Sequence, residues 1–103
     1  MDMTLPNKTV KIGMLLPTRG LLLRGDQPPN MDRVIKLAEA AEQGGLDSVW
    51  VGDSLVAKPR MEPLSVLGAL AARTSRVRLG TAVLLPALRH PVLLAQTLNT
   101  VDL

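Results

Sequence analysis

The chain has 103 residues, with 12 Lys and Arg against 9 Asp and Glu, one histidine, no cysteine and a single aromatic side chain, Trp50. The lack of cysteine excludes disulfides, thiolate metal sites and a cysteine nucleophile, and the length suits one small domain burying a little over about 60% of its unfolded surface. The net charge of +3 comes from arginines scattered from Arg19 to Arg89, without a dense run or aromatics to stack bases, so it reads as a solvated basic surface and not as a nucleic-acid face.

The first ten residues lack the basic start and apolar run of a secretory leader. No stretch reaches the roughly 18 to 20 apolar residues of a membrane span, and a cytoplasmic location is expected. "VKIGMLLP", Val10 to Pro17, is short, apolar and not alternating, as expected of a strand buried on both faces of a parallel sheet. "TRGLLLRGDQPPN" reads as a Gly- and Pro-rich loop whose three leucines, Leu21 to Leu23, need a cover or a ligand; its adhesion-like tripeptide, Arg24 to Asp26, is read as chance. "NMDRVIKLAEAAEQGG" is a helix with marked ends: Asn30 caps it, Asp32 complements its dipole, and Gly44 with Gly45 offers a left-handed stop. Val34, Leu37, Ala38 and Ala41 share one face, with Arg33, Lys36, Glu39 and Glu42 turned elsewhere.

"LDSVWVGDS", Leu46 to Ser54, is the second strand, and "LVAKPRM" is a loop. "EPLSVLGALAARTS" opens a helix at Pro63, where a missing amide hydrogen costs nothing, and sets Leu64, Leu67 and Ala71 on one face with Val66 and Leu70 beside it. "RVRLGTAVLLP" is the third strand, and "HPVLLAQTLNTVDL" starts a helix at Pro91, after His90.

Strand and helix alternate three times with crossover-length connections, the pattern of an α/β fold with a parallel sheet. A doubly wound open sheet fits, as do the first three units of an eight-unit (β/α) TIM barrel of about 250 residues. The ending "LNTVDL", inside a helical pattern without a cap, favours the barrel and a truncated chain, with residues 1–103 forming the N-terminal portion of one domain. Both architectures bind ligands at the carboxyl ends of the strands, which directs attention to Thr18 and Arg19, to Asp53 and Ser54, and to Thr81 through His90. Asp53 suits a ligand contact and a loop cap equally. His90, before Pro91, is better explained as a helix start than as chemistry, and a lone histidine forms neither a metal site nor a triad. Phosphate-loop, G-x-G-x-x-G and G-x-S-x-G signatures are absent.

Together, "VKIGMLLP", "GGLDSVWVGDS" and "RTSRVRLGTAVLLPALRHPVLLAQTLNTVDL" resemble the N-terminal part of the luciferase-like monooxygenase superfamily. The resemblance implies a flavin- or deazaflavin-dependent oxidoreductase on a β/α barrel, with its ring in the barrel mouth against a bulge after the third strand. That bulge commonly holds a cis peptide between two non-proline residues, and the matching positions are Ala82 and Val83. Deazaflavin-using relatives carry an acid and then a histidine after the second strand; this chain keeps the acid as Asp53 and has Ser54 in the histidine's place, which counts against catalysis through that histidine. The resemblance therefore implies hydride transfer or oxygen insertion on a small organic substrate with FMN or deazaflavin coenzyme F-420. Asp53, Ser54, Ala82 and Val83 would lie on the cofactor side and Thr18 and Arg19 on the substrate side, with no catalytic residue assigned and no metal. The phosphate-tail site would fall in later units, so the isolated chain is expected to be inactive, and the full-length protein to be a homo-oligomer. Two alternatives are a non-catalytic flavin- or ligand-binding barrel and a small α/β interaction module; the module would leave open sheet edges.

Overall fold

Three of the apolar runs become strands in the computed structural model, which describes residues 9–23, 28–54 and 59–103. These are β1 (Gly13–Leu15), β2 (Ser48–Val51) and β3 (Arg78–Thr81). They form one sheet in the order β1-β2-β3, both pairings parallel, with Val49 opposite Met14 on one side and Leu79 on the other. Parallel neighbours require the chain to return to the same end of the sheet, and helices make the return. α1 (Gly20–Leu23) and α2 (Met31–Gln43) lie between β1 and β2, α3 (Pro63–Ala71) lies between β2 and β3, and α4 (Pro91–Asp102) follows β3.

Local chemistry sets the helix ends. The Asn30 side chain accepts the Asp32 amide at 2.8 Å, satisfying one of the free donors at the start of α2. The left-handed stop falls on Gly45, with φ of 88°, while Gly44 keeps helical dihedrals. At the start of α3 the Glu62 carboxylate accepts the amides of Leu64 and Ser65, at 3.1 and 2.9 Å, just before Pro63. Val34, Ala38 and Ala41 of α2 are buried, as are Leu64, Val66, Leu67 and Leu70 of α3. They pack with Val49 and Val51 of β2 in one core, where each fully buried Val or Leu contributes about 1.5–3 kcal/mol.

Among the described residues, helices lie against one face of the sheet. On the other face Trp50 lies across the sheet: a Cβ added at Gly13 would meet the pyrrole edge of its indole, and one at Gly80 would meet the benzene edge. The indole N–H donates to the Ser48 hydroxyl at 2.8 Å. Trp50 stays 39% exposed and Leu15 57% exposed, so the expectation that the first strand is buried on both faces is corrected. The first run pairs over Gly13–Leu15, and among the described residues β1 has β2 as its neighbour in the sheet.

The stretch expected to be a loop after the first strand contains the four-residue helix α1. The third strand is shorter than its apolar run: it ends at Thr81 and is followed by a 3-10 turn at Pro86–Leu88. Residues 24–26 of the adhesion-like tripeptide and residues 55–58 of the loop after the second strand lie outside the described residues. Among the described residues no helix is long and apolar enough to cross a membrane.

Candidate functional site

The three strands end side by side. After β1 the Leu16 amide donates to the Trp50 carbonyl at 2.8 Å, and the chain turns at Thr18, whose amide donates to the Leu16 carbonyl at 2.9 Å. After β2, Gly52 and Asp53 remain buried. After β3 the Ala82 amide donates to the Val51 carbonyl at 2.8 Å, and the peptide between Ala82 and Val83 is cis. Parallel pairing thus collects the residues following all three strands along one edge.

Asp53 is the centre of this edge. Its side chain is fully buried, which an isolated carboxylate does not tolerate. One oxygen, Oδ2, accepts the Leu85 amide at 2.9 Å and is ion-paired with the Arg89 guanidinium. Arg89 also donates to the Leu85 carbonyl at 3.1 Å and to Glu62 at 3.1 Å. The hydrogen bond from Arg89 holds the Asp53 carboxyl below its ordinary pKa; burial opposes this and the Leu85 amide assists. Burial pushes Glu62 upward, but the Ser65 and Leu64 amides, the Ser65 hydroxyl and Arg89 together bring it below its ordinary value. Asp53 therefore raises the pKa of Arg89 still further. Both carboxylates are ionised at neutral pH, and Arg89 ties β2, the start of α3 and the 3-10 turn together. The second oxygen, Asp53 Oδ1, is buried with no hydrogen-bond partner among the described residues, and so is Thr18 Oγ1.

Next to this ion pair, the Ser54 hydroxyl oxygen accepts from Arg19 Nη2 at 3.1 Å and from Arg60 Nε at 3.2 Å. The Arg60 guanidinium lies over Gly52, where any Cβ would collide with it. The Met61 amide points to the Thr18 carbonyl at 3.4 Å, fixing the approach to α3 against the exit of β1.

Of the residues singled out from sequence, Arg19 and Ser54 are thus in direct contact. Asp53, the residue before Ser54, reaches the turn after β3 through Leu85 and Arg89. Thr18 is buried beside Arg19, and Ala82 and Val83 follow β3 at the same edge, both exposed. His90 does not join them. Its Nδ1 accepts the Val92 amide at 3.2 Å and caps α4.

The reading of all the arginines as solvated surface is corrected here. Arg89 is largely buried as a counter-ion, and Arg19 and Arg60 are half-buried at the site. Arg60 and Glu62 are the residues missed from sequence, and Arg89, singled out in the turn after the third strand, was given no partner. Glu62 before Pro63 carried a local capping signal, but the pairing of Arg89 with Asp53 spans 36 positions and leaves no local trace. A broad surface hollow lined by Leu67, Ala71, Val77, Leu79 and Val101 lies beside the start of β3, at the opposite end of the sheet.

The family model for luciferase-like monooxygenase matches residues 10–103. Over 72 residues the chain is 47% identical to an F420-dependent glucose-6-phosphate dehydrogenase of Nakamurella multipartita, covering 62% of this chain and 21% of the relative. A protein of the same name from Amycolatopsis mediterranei is 40% identical over 77 residues, 68% of this chain and 23% of the relative. The oxygenase component of a flavin-dependent trigonelline monooxygenase from Acinetobacter baylyi is 33% identical over 66 residues, 62% of this chain and 18% of the relative. The chain thus spans about a fifth of the length of these relatives. Because the family match runs through every element from β1 to α4, the chain belongs to the luciferase-like monooxygenase family.

Proposed function

We propose that these three β/α units are the first part of an eight-unit barrel that catalyses redox chemistry on a small organic substrate with a deazaflavin or flavin ring. The α/β fold with its parallel sheet, the family membership and relatives named for F420- and flavin-dependent reactions support the oxidoreductase class. F420 is the first cofactor to test, because the relatives of higher identity are named for it.

The observation that carries the reading is Asp53: a buried, ionised carboxylate at the carboxyl edge of a parallel sheet, with one oxygen clamped and the other unpartnered among the described residues. Such an oxygen is costly unless a donor reaches it, so it fits a ligand that presents N–H or O–H groups. Thr18 Oγ1, also buried and unpartnered among the described residues, both donates and accepts. A flat ring edge with alternating donors and acceptors matches that pair. Ala82 and Val83 offer exposed apolar surface at the same edge for the ring's face. When bound, the reduced ring supplies a hydride, or the electrons for inserting one atom of dioxygen.

The chain's own residues bind and orient. Asp53, held ionised, acts as an acceptor and not as a proton donor. Ser54, a neutral hydroxyl between two guanidiniums, contributes hydrogen bonds and no base.

The test adds reduced F420 or reduced FMN to the complete protein and follows ring absorbance and substrate-dependent oxidation. Saturable binding is expected, weakened at least about tenfold in D53N, the loss of one hydrogen bond to a charged group. The reading fails if neither ring binds, or if D53N binds as the parent does with unchanged circular dichroism. Binding without turnover across a broad substrate panel would instead favour a non-catalytic ligand-binding barrel.

A further inference from the structure

We infer that Arg89 is a positioning residue of the proposed ligand site: with Glu62 and the Leu85 backbone it fixes one oxygen of Asp53, so that the other is presented to the ligand; this rests on reading Asp53 as a ligand contact. The terminal torsion of an aspartate is broad and two-fold, so a carboxylate just past a strand does not by itself fix where its oxygens point. Here both donors fall on one oxygen. Asp53 Oδ2 accepts the Leu85 amide at 2.9 Å and pairs with Arg89 Nη1, while Oδ1 is buried with no hydrogen-bond partner among the described residues. Rotating the carboxylate out of this orientation would give up two hydrogen bonds, one of them between charged groups.

Arg89 is itself held in place. Its Nη1 also donates to the Leu85 carbonyl at 3.1 Å, so Leu85 binds both members of the ion pair. Its Nη2 donates to Glu62 at 3.1 Å. Glu62 is in turn fixed at the start of α3, where it accepts the Leu64 amide at 3.1 Å and the amide and hydroxyl of Ser65, both at 2.9 Å. The planar fork of the guanidinium spans the two carboxylates and so transmits the placement of α3 and of the 3-10 turn to the exit of β2. The charged groups that act on Asp53 are Arg89 and, more weakly, Arg60, and Arg89 is the one that hydrogen-bonds to it. Without Arg89, burial would favour the protonated acid, which offers a donor where the ligand needs an acceptor.

The test measures binding of F420, with FMN as the second probe, to the complete protein by ring fluorescence, in the parent, R89M, R89K, D53N and D53N/R89M. R89M should weaken binding about three- to tenfold at neutral pH. The ratio of its dissociation constant to the parent's should rise from about pH 8 toward about pH 4, as Asp53 in the variant takes up a proton that the parent's does not. R89K, which returns a charge without the fork, should weaken binding less and show no such rise. Because Arg89 acts through Asp53, removing it should add less than about twofold to the loss in D53N. In the protein without a ring, the 13Cγ signal of Asp53 should titrate at higher pH in R89M than in the parent. Where R89M does not fold, D53N/R89M and R89K decide, since the first buries no unpaired charge and the second keeps the pair. Parent-like binding by R89M, or by R89K where R89M does not fold, would overturn the inference and leave Asp53 as a ligand contact. Losses that simply add in D53N/R89M, or an Asp53 signal unmoved in R89M, would do the same. Parent-like binding by D53N, or binding of neither ring by the parent, removes the reading of Asp53 and this inference with it.

Discussion

Asp53 combines a structural role with the ligand contact proposed for it. The Arg89 hydrogen bond depresses its folded pKa, so the stabilisation it contributes is present above the unfolded value near 3.9 and is lost as pH falls through the lower folded value. D53N leaves Arg89 with Glu62 alone, and a cost of about 2–4 kcal/mol is expected at pH 7, toward the lower end for broken buried pairs. Urea unfolding at pH 7 and near pH 3 checks this. The gap between parent and variant should narrow in acid, and a gap constant across that range would contradict the ion-pair account. His90 belongs to the same scale with a different answer. Its ring caps α4, so H90A should cost about 0.5–1 kcal/mol, whereas H90N should retain most of the stability. A much larger loss of cofactor binding than of stability in H90N would restore a chemical role. The His90 cap was readable from the sequence because it acts two residues away, on Val92.

Among the elements, the join between α2 and β3 depends on a residue that periodicity assigned away from the core. Glu42, at the end of α2, accepts the amides of Ser75, Arg76 and Val77 at 2.9, 2.6 and 2.8 Å. Arg76 returns across the same gap to the carbonyls of Glu42 and Leu46, at 2.8 and 3.0 Å. Helical spacing shows which way Glu42 turns from the buried stripe of α2, but not which backbone will be brought to it. The Val77 and Arg76 amides hold its carboxyl below the ordinary value. E42Q should therefore lower Tm at neutral pH, with the difference fading only as pH falls below the ordinary glutamate range and the parent's Glu42 is protonated. An unchanged neutral Tm would mean these amides are equally well served by water. The helix starts were legible from Asn30, Pro63 and Pro91, because capping is settled within one turn.

For the molecule as a whole, the sheet has unequal faces. Val49 and Val51 lie under α2 and α3, while Trp50, between them in sequence, lies on the opposite face and bridges Gly13 and Gly80. A methyl group at Gly80 would strike the indole, a rigid ring between strands that cannot yield as the end of a long side chain does. G80A should cost about 1–3 kcal/mol as overpacking and shift the emission of this single tryptophan to the red as its ring is lifted. Unchanged emission would mean that the indole does not rest on the sheet. The second strand was legible in "LDSVWVGDS", but the burial of β1 on both faces was inferred from apolarity, and the exposure of Leu15 shows the limit of that inference. Apolar composition states what a strand can bury, not what is there to cover it.

The sequence by itself determined the alternation of strands and helices, the parallel pairing that follows from crossover-length connections, the helix caps, and the family. These rest on spacing and on chemistry within a turn or two of the chain. The tertiary structure alone decided that Asp53 meets Arg89, that Arg19 and Arg60 converge on Ser54, and that Glu42 closes onto the segment before β3. Each joins residues that only the parallel sheet brings side by side, except Arg60, whose contact with nearby Ser54 depends on its head resting over Gly52. A charged residue alone does not specify its partner, because the same guanidinium is stable in water, against a carboxylate or on a ligand, and the fold chooses among them.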